Sequence, residues 1–330
     1  MKKIRMIALV LAMTLTAGLL TACSMGGGSK TEVKVQEIGV IQIVKHEALD
    51  KSYEGFVDGL KEAGYVDGEN IKIDYQVAAD DIAICNSIAD KFVTAKKDLV
   101  LAIATPSAQA MISKTKEIPV LITAVTDPLT AELVVSNEKP GGNLTGTSDL
   151  SPVKQQIELL KEIRPEAKKL GLLYSSNEAN SKFLVEIAKK EAKALGYETV
   201  EATISKSNDL QVVAESLAGK VDAIYAPTDN KIAAGMSIVS AAARKNSIPV
   251  ICGEEGMVAE GGIITLGMNY YELGKRTAAM AVKVIKGEAK PADMPIEYLL
   301  QEELEVKINE EEAKLIGITF PKSILDRIKK

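Results

Sequence analysis

The sequence predicts an α/β protein of two lobes, each a doubly wound parallel sheet, joined by strands that cross between them. Three observations carry this. From residue 37, apolar strands alternate with amphipathic helices, as in a parallel sheet covered on both faces. The same alternation starts again near residue 170, with similar local wording. A Gly-rich join separates the two runs, and a strand and helix at 263–286 follow the second, so late chain is expected to return to the first lobe.

Ile38-Gly39-Val40-Ile41-Gln42-Ile43-Val44 is apolar enough for a strand buried on both faces. Leu49, Tyr53, Phe56, Val57 and Leu60 recur on one helical face, and Gly64 stands where a helix-ending glycine belongs. Residues 71–75 form the second strand, and Asp80 or Asp81 caps a helix that runs to about Lys96. A third strand spans 99–104, a helix about 107–116 and a fourth strand 120–125. The second half gives strands at 170–174, 198–204, 222–226 and 250–252, with helices at 178–195, 210–217 and 230–245 between them. Ile118-Pro119-Val120 resembles Ile248-Pro249-Val250, which points to duplication of one α/β unit. The join lies at 140–149, before the helix start at Ser151-Pro152. The expected organisation is a first lobe at 37–147, a second at 148–269, and part of about 270–330 returning to the first.

Composition excludes several functions. Aromatic residues make up 4% and Trp is absent, which leaves no stacking platform for nucleic acid. A net charge of −5 argues against any polyanion partner. His46 is the only histidine, so a Ser-His-Asp hydrolase or a multi-His zinc site has nothing to build on; neither metal nor cofactor is expected. No GxxxxGK[ST], CxxC, HExxH or GxSxG pattern occurs. Cys85 and Cys252 stand in apolar surroundings and read as separate buried thiols.

The first residues read as an address. Lys2, Lys3 and Arg5 precede an apolar run from 6 to 20, short for a spanning helix and right for a secretory signal. Leu20-Thr21-Ala22-Cys23 resembles the lipobox of bacterial lipoproteins, which implies cleavage after residue 22, lipidation of Cys23 and a flexible tether to about residue 36. The alternative is an ordinary signal with an incidental cysteine. Cleavage removes three positive charges and no acid, leaving 308 residues and a net charge of −8. The expected place of action is outside the cytoplasmic membrane, on a lipid anchor.

Ligands of open parallel sheets bind beyond the C-terminal ends of the strands. The residues there include Gln42, His46, Thr105, Ser107, Thr126, Asp127, Asn180, Ser181, Asp229 and Asn269. They are hydroxyls, amides and carboxylates. Helix starts at Ser107, Glu178 and Asp229 offer free N–H groups that suit a carboxylate, and acids facing the cleft suit an ammonium group. Such a set recognises a zwitterion more readily than it performs a reaction, and no enzyme is expected. Each residue also has a plain structural reading: Ser107 and Asp229 as helix caps, Asp127-Pro128 as a turn, His46 as a surface or structural residue.

The wording is similar to that of the substrate-binding proteins of ATP-binding-cassette importers, and within them to the tryptophan/aromatic-amino-acid-binding family. The similar stretches are 38–42 with His46-Glu47-Ala48-Leu49-Asp50, 56–65, Ala104-Thr105-Pro106-Ser107-Ala108-Gln109 and Thr126-Asp127-Pro128. They continue through 140–149, 174–181, Pro227-Thr228-Asp229-Asn230 and 267–274. The resemblance implies the type I periplasmic-binding fold, with two lobes, three crossing strands and an amino acid closed between them. It implies that Thr105, Ser107 and Thr126 hold the ligand carboxylate and that Asp229 takes the ammonium. It sets Asn180 and Ser181 on a second-lobe contact loop and Asn269 at a crossing strand near the ligand. It further implies hinge closure and delivery to a membrane permease by a monomer. Tyr174, Tyr225 and Tyr270 are the candidate ring partners; a branched aliphatic amino acid or a sugar, or a sensing role without transport, remains the alternative.

Overall fold

Continuous aliphatic runs form the centre of each sheet, because a strand covered on both faces has no side open to water. The computed structural model describes residues 35–328, so the signal segment and Cys23 lie outside the described residues. In order, the chain forms β1 (Gln36–Gln42), α1 (Glu47–Glu62), β2 (Ile71–Val77), α2 (Ile82–Thr94), β3 (Leu99–Ile103), α3 (Thr105–Lys114), β4 (Val120–Val125) and β5 (Leu144–Ser148). Then come α4 (Val153–Ile163), β6 (Lys169–Ser175), α5 (Ala179–Ala194), β7 (Glu198–Ile204), α6 (Leu210–Ala218), β8 (Ala223–Ala226), α7 (Asn230–Ala234) and α8 (Met236–Lys245). The last elements are β9 (Val250–Cys252), α9 (Glu255–Ala259), β10 (Ile264–Gly267), α10 (Tyr270–Ile285), β11 (Glu297–Tyr298), β12 (Glu305–Ile308), α11 (Glu310–Leu315) and α12 (Lys322–Leu325).

Two six-stranded sheets result, in the orders β11-β5-β4-β3-β1-β2 and β12-β10-β9-β8-β6-β7. The first is parallel throughout, with Val40 beside both Tyr75 and Leu101. The second is parallel except for β12, which runs antiparallel to β10 at its edge. This is the two-lobed α/β fold expected from the sequence. Each sheet has its own apolar core: Ile38, Val40, Leu101 and Ile122 in the first lobe, and Leu170, Leu172, Tyr225 and Ile264 in the second.

The chain crosses between lobes three times. It leaves the first after β5, returns between β10 and α10, and leaves again between β11 and β12. Helix α10 packs into the first-lobe core through Tyr270, Leu273 and Ala281. The segment from β12 onward rejoins the second lobe, where Val306, Phe320 and Ile324 are buried. The second lobe therefore does not end at 269, and the charged tail is structured: its short strand pairs with β10, and Val306, Ile316, Phe320 and Ile324 are buried in the second-lobe core.

Two local readings are corrected. Helix α3 starts at Thr105, and its first flank, Ala104, sits at φ 76° without a side-chain cap, so Ser107 lies inside the helix and does not cap it. The single helix expected over 230–245 breaks at Gly235 into α7 and α8. Asp81, of the two candidates, caps α2 by accepting from the Ala83 and Ile84 amides.

Candidate functional site

Residues just past the C-terminal ends of strands from both sheets converge on one narrow cavity between the lobes. His46 and Leu49 follow β1, Thr126 follows β4, Asp149 follows β5 and Asn180 stands past β6. Thr228, Asp229 and Asn230 follow β8, Glu254 follows β9 and Tyr270 opens α10; Ala124 and Ala233 complete the lining. The space open to the centre of a water molecule is about 10 Å³, room for roughly one water. An amino acid enters such a space only when the lobes part, so ligand entry and lobe opening are one event.

Polar groups of both lobes bridge the cavity's rim. His46 Nε2 lies 3.5 Å from Asn230 Oδ1. Asp80, presented by a turn in which Ala79 and Asp80 have φ of 51° and 65°, pairs with the Lys231 ammonium of the second lobe. Its other oxygen accepts from Ser207 Oγ at 2.7 Å. Lys231 also stands 3.7 Å from Glu178 Oε1, which places one buried cation between an acid of each lobe.

The walls are rich in buried acids. Burial pushes Glu178 up to about 7, with the Asp229 charge adding to the rise and Lys231 opposing it. Burial likewise pushes Glu254 up to about 8, although its two oxygens receive the Gly256 and Met257 amides at the start of α9. Asp149 is raised by burial, against the pull of the Tyr270 and Thr126 hydroxyls. Loss of hydration drops His46 to about 4, so its ring is neutral at pH 7. Four buried polar atoms at or behind the cavity wall have no hydrogen-bond partner: His46 Nδ1, Asp149 Oδ1, Glu178 Oε1 and Asn180 Oδ1.

Of the sequence-predicted residues, His46, Thr126, Asn180 and Asp229 line this cavity. The others do not, for local reasons. Gln42 is buried in the first lobe, donating to Val44 O and Asp50 Oδ1 and accepting from the Tyr75 hydroxyl. Thr105 and Ser107 are buried at the start of α3, where Ser107 Oγ lies 3.9 Å from Cys85 Sγ. Asp127 closes its own turn, accepting from the Leu129 and Thr130 amides. Ser181 is buried beside Asn180, and Asn269 caps α10 by accepting from Glu272 N–H and lines a separate open groove beside Glu62 and Lys275. Asp229 lines the cavity but spends its carboxylate within the second lobe: Ser175 N–H, Ser175 Oγ and Ile232 N–H all donate to it. Of the ring candidates, Tyr225 is core and bonds Gln156, Tyr174 reaches out to Glu201, and Tyr270 alone faces the cavity.

Thr228, Glu254 and Tyr270 also stand just after strand ends in the sequence, and Tyr270 is a ring candidate there; Asp149 is passed over. The strand-end rule reaches Asp149 only once Leu144-Thr145-Gly146-Thr147-Ser148 is seen as a strand within the Gly-rich join. Among the described residues no cluster of His, Cys, Asp and Glu could hold a metal ion, and no helix is long and apolar enough to cross a membrane.

Comparisons with known proteins agree with this geometry. A tyrosine-binding protein of Clostridioides difficile is 44% identical over 325 residues, covering 96% of this chain and 93% of that protein. A Streptococcus pneumoniae ABC domain solved in complex with L-Trp is 39% identical, covers 89% of this chain and 99% of its own, and superposes with a TM-score of 0.86. The ligand-free, open structure of a Clostridium difficile substrate-binding protein with adhesive properties is 45% identical, covers 89% and 98%, and superposes at 0.67. These relatives are described by what they bind: tyrosine, L-Trp and, for the third, a substrate. Residues 37–330 match the family described as ABC transporter substrate binding protein. With two lobes, three crossings and a polar cavity between them, the chain belongs to the substrate-binding proteins of ABC transporters.

Proposed function

We propose that this protein binds an aromatic amino acid, tyrosine or tryptophan, between its lobes and delivers it to a membrane permease. The observation that carries the reading is the set of unpartnered buried atoms around the cavity, supplied by both lobes and a crossing. Unpaired buried polar atoms destabilise a protein by about 1–3 kcal/mol each; Glu178 Oε1 has the Lys231 ammonium at 3.7 Å, and a site that keeps the other three unpaired is matched to a polar ligand. Asp149 Oδ1 and Asn180 Oδ1 are oxygens placed to accept, which suits a ligand rich in N–H and O–H donors. Leu49, Ala124, Ala233 and the Tyr270 ring supply apolar surface for a side chain. The relatives that bind tyrosine and L-Trp support the aromatic class.

Closure is the proposed mechanism. Ligand touching both lobes favours the closed state by its differential affinity. The superposition supports this: the more identical relative, solved open, fits worse than the less identical one solved with L-Trp. Sequence divergence alone would rank them the other way. The lipobox-like start supports a lipidated Cys23 that tethers a monomer outside the cytoplasm, the side on which the substrate-binding proteins of these transporters act.

A thermal-shift screen over the amino acids tests the ligand. Tyrosine or tryptophan at 100 times Kd should stabilise the protein by about 2.7 kcal/mol, and a flat response to both would end the aromatic reading. Uptake of the labelled ligand should collapse in a strain lacking the gene. The rim pair gives a second expectation. Lys231→Met leaves Asp80 and Glu178 without their shared cation, so affinity for the ligand should fall roughly tenfold. The radius of gyration without ligand should rise in the same variant. If both stay at wild-type values, the pair does not hold the lobes together.

A further inference from the structure

We infer that Asp149 is the counter-ion of the ligand's ammonium group, in the role that resemblance assigns to Asp229. The inference rests on the amino-acid reading above and names its charge-bearing contact.

Four acids stand in or behind the cavity wall, and their oxygens are differently engaged. Asp229 accepts from three donors of its own lobe, at 2.6, 2.8 and 3.0 Å, and both of its oxygens are used. Both oxygens of Glu254 are taken by amides at the start of α9. Glu178 accepts from Asn230 and Asn180 through Oε2, and its Oε1 pairs with the Lys231 ammonium at 3.7 Å. Asp149 accepts one hydrogen bond, from the Tyr270 hydroxyl to Oδ2 at 2.8 Å. Its Oδ1 is buried with no hydrogen bond, although the Thr126 hydroxyl lies close enough to help hold the charge.

Asp149 is 1% exposed, and among the described residues no lysine or arginine forms an ion pair with it. A buried carboxylate without a cation is unfavourable, and a ligand ammonium is a cation of the right size to complete it. Tyr270 holds the opposite oxygen, and Asp149 lines the cavity, which leaves Oδ1 as the oxygen with lone pairs to spare for a ligand.

The position adds a mechanical reason. Asp149 begins the first crossing and Tyr270 follows the second, so their hydrogen bond ties two hinge segments together. A ligand held there by its charge sits at the pivot, where the anchor moves least as the lobes swing. Its carboxylate and ring are then left for groups on the lobes. The class of ligand selected is one with a primary ammonium; a 3-arylpropanoate, which lacks it, is rejected.

Isothermal titration calorimetry of the wild type and Asp149→Asn with L-tyrosine and with 3-(4-hydroxyphenyl)propanoate tests this. The wild type should prefer the amino acid, and Asp149→Asn should lose roughly 30-fold or more of its tyrosine affinity and most of the preference. Wild-type affinity in Asp149→Asn overturns the assignment alone. If the wild type binds no aromatic amino acid, the amino-acid reading falls and the assignment with it. Should Asp149→Asn fail to fold, a crystal structure of the wild type with tyrosine decides. The ammonium nitrogen within hydrogen-bond distance of Asp149 Oδ1 supports the assignment, and its placement on Asp229 or Glu178 overturns it.

Discussion

Asp229→Ala should lower the stability of the ligand-free protein by about 3 kcal/mol, read from the urea midpoint. The carboxylate caps α7 through Ile232 N–H and receives both the amide and the hydroxyl of Ser175 at the end of β6. It is 1% exposed, so the donors it satisfies are shielded from bulk solvent. Loss of the cap contributes about 1 kcal/mol, and two buried donors left at Ser175 contribute the rest. Ligand binding should weaken as a consequence, because Asn230 and Thr228 flank the cap and line the cavity. A residue that only takes the ligand's ammonium, the role the resemblance implies for Asp229, would weaken binding when lost and leave the fold intact. An unchanged urea midpoint with a large loss of affinity would restore that role.

Gly274→Val should destabilise the first lobe by about 3 kcal/mol, at the upper end of overpacking effects. Helices α1 and α10 cross with their backbones in contact. A Cβ at 274 would stand 2.1 Å from Ser52 O, and one at Gly55 would stand 1.9 Å from Tyr271 O. Backbone on both sides leaves no rotamer that relieves the clash, so one helix must move outward. Ser52 and Phe56 beneath are fully buried, so movement also opens the core. The melting temperature should fall by about 6–10 °C. A fall of under a degree would mean that the helices can separate freely. Because Tyr270 begins α10, the same change should weaken ligand binding by displacing the partner of Asp149.

The sheets were legible because their signal is local. Leu99–Ile103 is an unbroken apolar run, Val120–Val125 is broken only by Thr123, and every one of these residues is buried. The end of the chain was not legible. Glu305–Ile308 is short and half charged, and only its pairing with β10 makes it a strand. The site was half legible for a similar reason. Position after a strand brought His46, Thr126, Asn180 and Asp229 to the cavity. The same rule also selected Asp127 and Asn269, whose side chains fold back on neighbouring amides two or three residues away. Whether a carboxylate is free or spent depends on partners distant in sequence. Ser175 is 54 residues from Asp229, and Tyr270 is 121 residues from Asp149. No pattern along the chain records those meetings.

The threading of the backbone bears on how the molecule is made. A ribosome releases a chain from its first residue, and a self-contained unit can fold while the rest is still being translated. Here the first-lobe core lacks α10 until residue 285 is made, and the second lacks its edge strand until residue 308. Neither half can finish early, so the nascent chain stays pliable until synthesis is almost done.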